Sequence, residues 1–149
     1  MFHSLVAALA LATGITPITH EVPVEDGPVP LTLRYEADVT VQHRQLGSVA
    51  PGGRADTLRC HWTASADVRR TLVHRSDNAR QLPLASTGAL QPMKGHRPGW
   101  CEANRGAIAA SVEAGIPALR AELIALAERD RPNVSSEIHD AHALFRPGS

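Results

Sequence analysis

From Leu31 to Leu46, apolar and polar residues alternate with a period of two. Leu31, Leu33, Tyr35, Ala37, Val39 and Val41 fall on one side, and Thr32, Arg34, Glu36, Asp38, Thr40, Gln42 and Arg44 on the other. Successive side chains of a strand point to opposite faces, so this pattern predicts a strand with one apolar and one wet face. A helix fits badly, because Leu33 and Tyr35 would stand about 200° apart at 3.6 residues per turn. The alternation returns further on, where Leu58, Cys60, Trp62, Ala64, Ala66 and Val68 oppose Arg59, His61, Thr63, Ser65, Asp67 and Arg69. Turn formers separate the arms, among them Gly47, Pro51, Gly52 and Gly53. Leu31 to His74 therefore predicts one long antiparallel hairpin. Both arms exceed the usual strand length of about 5–6 residues, so a bulge or bend is expected near Ala64 to Asp67. Burial of the apolar face must set the register, since a one-residue slip would turn that face to water.

A second period starts at Cys101. Ile108, Val112, Ile116, Leu119, Leu123 and Leu126 recur at steps of three and four, which predicts a helix with an apolar stripe. Pro117 interrupts the stripe without changing its phase, so the helix is expected to kink there. Pro132 is expected to end it, with Ser135 capping a short helix over Ser136 to Leu144 that turns Ile138, His142 and Phe145 to one side. Residues 13–30 hold Pro17, Pro23, Pro28 and Pro30 and read as a linker. Arg80 to Leu84 can add a short third strand at the sheet edge. Gln91 to Trp100, with Pro92, Gly95, Pro98 and Gly99, reads as loop. A hairpin alone is marginal in water and needs a cover. The predicted fold class is therefore α+β. A long bent antiparallel β-hairpin, with room for a third strand, is covered by a kinked C-terminal helix over residues 31–145, and residues 146–149 form a tail.

Composition narrows the function. The chain of 149 residues is long enough for one domain with a real core. Its formal net charge of zero argues against nucleic-acid binding, which needs a basic excess. Aromatic residues make up 3%, too few for a base-stacking platform. Lys94 is the sole lysine, an arginine bias that a GC-rich genome explains. Met1 to Ala12 carries the apolar run Leu5 to Ala12, within which Ala8-Leu9-Ala10 and Ala10-Leu11-Ala12 are small-x-small sites, the pattern of a short signal peptide, although its start lacks a basic residue. The run is too short to cross a bilayer. The expected location is periplasmic or secreted. The alternative is a cytosolic protein that keeps its N-terminus in the core.

In an exported protein, Cys60 and Cys101 are expected to form a disulfide joining the hairpin to the start of the helix. Free thiols would be the cytosolic counterpart. Trp62 and Trp100, each close to a cysteine, are expected to pack on the bridge. Arg34, Arg44, Arg59, His61 and Arg69 share the wet face, with Arg75 at its end and only Glu36, Asp38 and Asp67 opposing them. That face could meet an anionic partner, an acidic protein or a lipid surface. The plainer alternative is a solvated face of weak cross-strand ion pairs. His139 and His142 share a helix face and are weak metal candidates, because zinc takes three or four ligands and spacing supplies no third. Nucleophile elbows, phosphate loops, dinucleotide fingerprints and zinc-protease helices are all missing from the sequence, and it implies no cofactor. The reading that results is a small exported bacterial binding or envelope-associated module without enzymatic activity. A small hydrolase or metal-dependent enzyme using His139 and His142 is the alternative.

Overall fold

The computed structural model describes residues 15–25, 27–52, 56–84 and 88–145, with the backbone alone at 77–80, 144 and 145. The expected signal segment, Met1 to Ala12, and the tail at 146–149 lie outside the described residues. Strands β2 (Leu31–Leu46) and β3 (Arg59–His74) form the predicted hairpin, and the sheet is packed against one helix, α1 (Cys101–Phe145). The fold is α+β. The register runs from Leu31 opposite His74 to Leu46 opposite Arg59 without a shift, so the expected bulge near Ala64 to Asp67 does not occur. Buried Leu31, Leu33, Tyr35 and Ala37 on β2, with Cys60, Ala64, Ala66 and Val68 on β3, put the alternating apolar positions on the helix side.

The sheet is wider than expected. Strand β1 (Ile18–Val24) pairs antiparallel with β2. The proline-rich segment read as a linker thus carries an edge strand. Pro23 lies within this edge strand, where proline is tolerated because no outer neighbour needs its missing N–H. The other edge of β3 is lined by three short strands in succession: β4 (Asp77–Pro83), β5 (Gly88–Ala89) and β6 (Met93–Pro98). Leu72 faces Leu82, Val68 faces Gly88, and Ala64 faces Met93, so the pairing slips by two residues and then by one. These pieces amount to one interrupted strand running the length of β3. The expected loop at Gln91 to Trp100 is largely β6.

Helix α1 also departs from expectation. It continues through both prolines to Phe145 instead of stopping at Pro132, and Ser135 is not a cap: its hydroxyl donates to the Pro132 carbonyl at 3.1 Å. Pro117 and Pro132 both lie on the exposed side. There the carbonyls they leave unbonded, four residues back at Glu113 and Glu128, can be hydrated. The buried face runs Ile108, Val112, Leu119, Leu123, Ala127, Val134 and Ala141, a helical spacing kept through both prolines.

Two clusters make the core. One holds Cys60, Ala64, Ile108 and Val112, with Trp62, Met93 and Cys101 packed on it. The Cys60–Cys101 disulfide pins the helix start there, with Cα atoms 4.8 Å apart. Trp62 lies over Gly95, its cross-strand neighbour, where an added Cβ would come within 2.7 Å of the indole. Trp100 is half exposed and stays outside this cluster, contrary to its expected place on the bridge. Gln45 ties the same corner together. Its Oε1 accepts from the Cys101 N–H at 2.7 Å, and its Nε2 donates to the carbonyls of Arg59 and Gly99. The larger cluster fills the space between the sheet and the rest of the helix.

Candidate functional site

Strand register sorts the predicted arginine face into two parts. At one end, Arg69 is held by Glu36 and Asp38, each at 2.6 Å, and Arg34 by Glu21 at 2.7 Å. Arg75 is likewise engaged, by the Leu31 and Val24 carbonyls and by Glu25 at 3.6 Å. At the other end, Arg44, His61 and His96 stand in one row across β2, β3 and β6. The two imidazoles stack with ring centroids 5.6 Å apart. Arg59 lies two residues before His61 on the same face of β3, and Lys94 adjoins His96 on β6. Among the described residues, no carboxylate makes an ion pair with any of these five groups.

The separation from the acidic end is large on the electrostatic scale. Asp38 and Asp67 lie six positions from Arg44 and His61 along their strands, about 20 Å at 3.3 Å per residue. That is more than twice the Debye length of about 8 Å at physiological salt. Asp56, in the hairpin loop, is occupied as acceptor for the Ala50 N–H at 2.7 Å. The result is a patch about 10 Å wide over three strands, with three fixed positive charges and two histidines. Sequence reasoning placed Arg44, Arg59 and His61 in it and missed Lys94 and His96, which it had assigned to a loop.

Beneath the sheet lies a buried polar group. Arg70 shares the core face with Val68 and Leu72 and is 5% exposed. Its guanidinium donates to Asp130 Oδ2 at 3.1 Å and to Glu137 Oε1 at 3.4 Å, both carboxylates coming from the helix. Tyr35 completes the group by donating its hydroxyl to Asp130 Oδ2 at 3.0 Å. Burial, reinforced by the hydrogen bond to Asp130 and by that carboxylate's charge, pushes the Tyr35 phenol well above its ordinary range.

Beside this group, on the β1 side, the helix and sheet enclose a half-open cavity of about 620 Å³. Its walls include Val22, Val24, Leu33, Ala127, Val134 and Ile138. Gly27, with φ of 110°, brings its backbone against the buried His142 ring, and an added Cβ there would come within 2.5 Å of the ring. His139 is exposed whereas His142 is buried, and among the described residues no group of three or more histidine, cysteine or acidic side chains converges as a metal site would require. A second groove, of about 910 Å³, lies between β2 and the first half of α1 and is bordered by charged Arg105, Glu113 and Arg120 as well as apolar residues. Among the described residues, no helix is long and apolar enough to cross a membrane.

No family model, curated protein or solved structure matches the chain.

Proposed function

We propose that this chain is an exported, non-enzymatic binding module that meets an anionic partner through the basic end of its exposed sheet face. The observation that carries the reading is the segregation of charge. Arg34 and Arg69 are neutralised by neighbouring carboxylates, while Arg44, Arg59 and Lys94 surround the His61–His96 pair without an acidic partner among the described residues. Cationic groups gathered on a rigid sheet face attract anions before contact and orient them on arrival. The same positive charges disfavour a metal ion at the histidine pair. The Cys60–Cys101 bridge supports export, because such bonds persist in oxidising compartments.

Anionic lipid headgroups and acidic proteins present the same chemistry, and two binding measurements separate them. Sedimentation with vesicles of phosphatidylglycerol and phosphatidylcholine tests the first, and titration with polyglutamate tests the second. Binding to at least one is expected to weaken at least tenfold when Arg44→Glu and Lys94→Glu are combined, and to weaken further as salt rises. Arg69→Ala, which removes an already paired charge, is expected to change it less than twofold. Equal losses from the two changes, or retention of neutral vesicles as strong as of anionic ones, would refute the assignment.

A further inference from the structure

The cavity between β1, β2 and the second half of α1 lies on the helix side of the sheet, opposite the basic patch, and is independent of it. We propose that it is a binding site for an uncharged apolar small molecule. Its volume of about 620 Å³ lies within the range of about 300–1,000 Å³ typical of small-molecule sites. The walls are mainly aliphatic, with Val22 from the edge strand, Leu33 from β2, and Val134 and Ile138 from the helix, and with polar groups such as Ser135 and His142 among them. Over the aliphatic part of the wall water has no hydrogen-bond partner, so an apolar group displaces it there.

Two features keep the space open. On the inner face of the helix, Ala127 and Val134 flank Asp130, and both are shorter than Leu119 and Leu123 of the preceding turns. Asp130 itself is tied to Tyr35 and Arg70, at 3.0 and 3.1 Å, which fixes the helix above the sheet as a strut would. The site is therefore preformed, and a ligand does not have to separate packed elements in order to enter.

The mouth determines the charge of the ligand. Glu128 lies 3.9 Å from Arg131, and Glu25 lies 3.6 Å from Arg75, so each acid at the rim has a cation beside it. A charged ligand would have to break one of these pairings or leave its own charge next to the apolar walls, whereas a neutral one does neither.

The test is a fluorescence titration of the disulfide-bonded protein with the neutral dye N-phenyl-1-naphthylamine. Micromolar binding with a blue-shifted emission is expected. Val22→Trp and Ile138→Trp each place an indole into the cavity from opposite walls. Both positions are only partly buried, so the packed core is undisturbed, and each variant is expected to weaken dye binding at least tenfold with an unchanged far-ultraviolet circular dichroism spectrum. Should one variant fail to fold, the other carries the test. Arg44→Glu with Lys94→Glu should leave dye binding as it is, which separates this site from the anionic surface. Decanol should displace the dye at lower concentration than decanoate or decyltrimethylammonium. No dye binding, or binding untouched by the folded filling variants, overturns the site. Displacement by a charged amphiphile at or below the decanol concentration overturns the ligand class.

Discussion

Replacing Arg70 with methionine tests whether charge pairing holds the second half of the helix on the sheet. The side chain is 5% exposed, and Asp130 beside it is 13% exposed. At their separation of 3.1 Å, an effective dielectric constant of about 20 gives an attraction of about 5 kcal/mol before desolvation is subtracted. The second contact, to Glu137 at 3.4 Å, adds less, because that carboxylate is 35% exposed and water screens it. Methionine keeps most of the arginine stem's volume but leaves Asp130 under the helix with no cation bonded to it. Breaking a buried pair from one side costs about 3–5 kcal/mol. With a urea slope of about 2 kcal/mol per molar, the unfolding midpoint should fall by roughly 2 M, read by circular dichroism at pH 7. The triple variant Arg70→Met, Asp130→Leu, Glu137→Leu removes the pairs and their desolvation together. It is expected within about 1 kcal/mol of the native chain. An Arg70→Met midpoint unchanged within error would refute the electrostatic account. A triple variant as unstable as the single one would show that shape and hydrogen bonding, not charge, are what Arg70 supplies.

Three further outcomes follow from the same geometry. Tyr35→Phe should cost about 1 kcal/mol at neutral pH through the lost hydrogen bond to Asp130. Because the folded state raises the phenol's pKa above its unfolded value, the Tyr35 contribution is whole below about pH 10 and is lost as pH climbs beyond it, and Tyr35→Phe should flatten that alkaline decline. Tyr35 is the only tyrosine, so phenolate absorbance should appear together with unfolding and not before it. Removing the disulfide by Cys60→Ala with Cys101→Ala should cost about 4 kcal/mol on the chain-entropy model for its sequence separation of 41, measured by urea unfolding against the oxidised native chain. Gly95→Ala should cost about 1–3 kcal/mol, because the new methyl meets the Trp62 indole, and a shift in tryptophan emission should accompany the loss.

The hairpin was legible because two arms of matched length alternate strictly, and burial of one face then permits only one register. The disulfide followed from that face, which puts Cys60 under the helix start. The short outer strands were not legible. β1 and β6 are edge strands that draw their hydrogen bonds from long neighbours, so they need little from their own side chains and tolerate Pro23 and Gly95. Two of the five groups of the basic patch escaped notice for that reason, since Lys94 and His96 share a face with His61 only once β6 is laid along β3. The alternation of Met93, Gly95 and Arg97 with Lys94 and His96 was the available signal, too short and too interrupted to stand alone. Arg70 was hidden by the opposite effect. It occupies an apolar parity position, and only the carboxylates brought by the helix make its burial tolerable.

The continuity of the helix past Pro132 and the cavity beside it went unread for a single physical cause. Before Leu126, the inner stripe is built of large aliphatic residues, and periodicity announces it. After Leu126, the same face carries Ala127, Asp130, Val134, Glu137, Ile138 and Ala141, in which two acids and two alanines dilute the aliphatic pattern. With Pro132 falling in that stretch, the sequence looks like a helix end. The structure continues the helix because Pro132 lies outward and because polar bonds from Asp130 and Glu137 add to the apolar packing of Val134, Ile138 and Ala141. Small side chains flanking a polar strut leave room beside it, on the β1 side where the cavity lies. The short side chains that thin the apolar stripe, Ala127 and Val134, are therefore among those that line the cavity. Their shortness is what a site for an apolar ligand requires, and it puts that site beside the Arg70–Asp130 pairing.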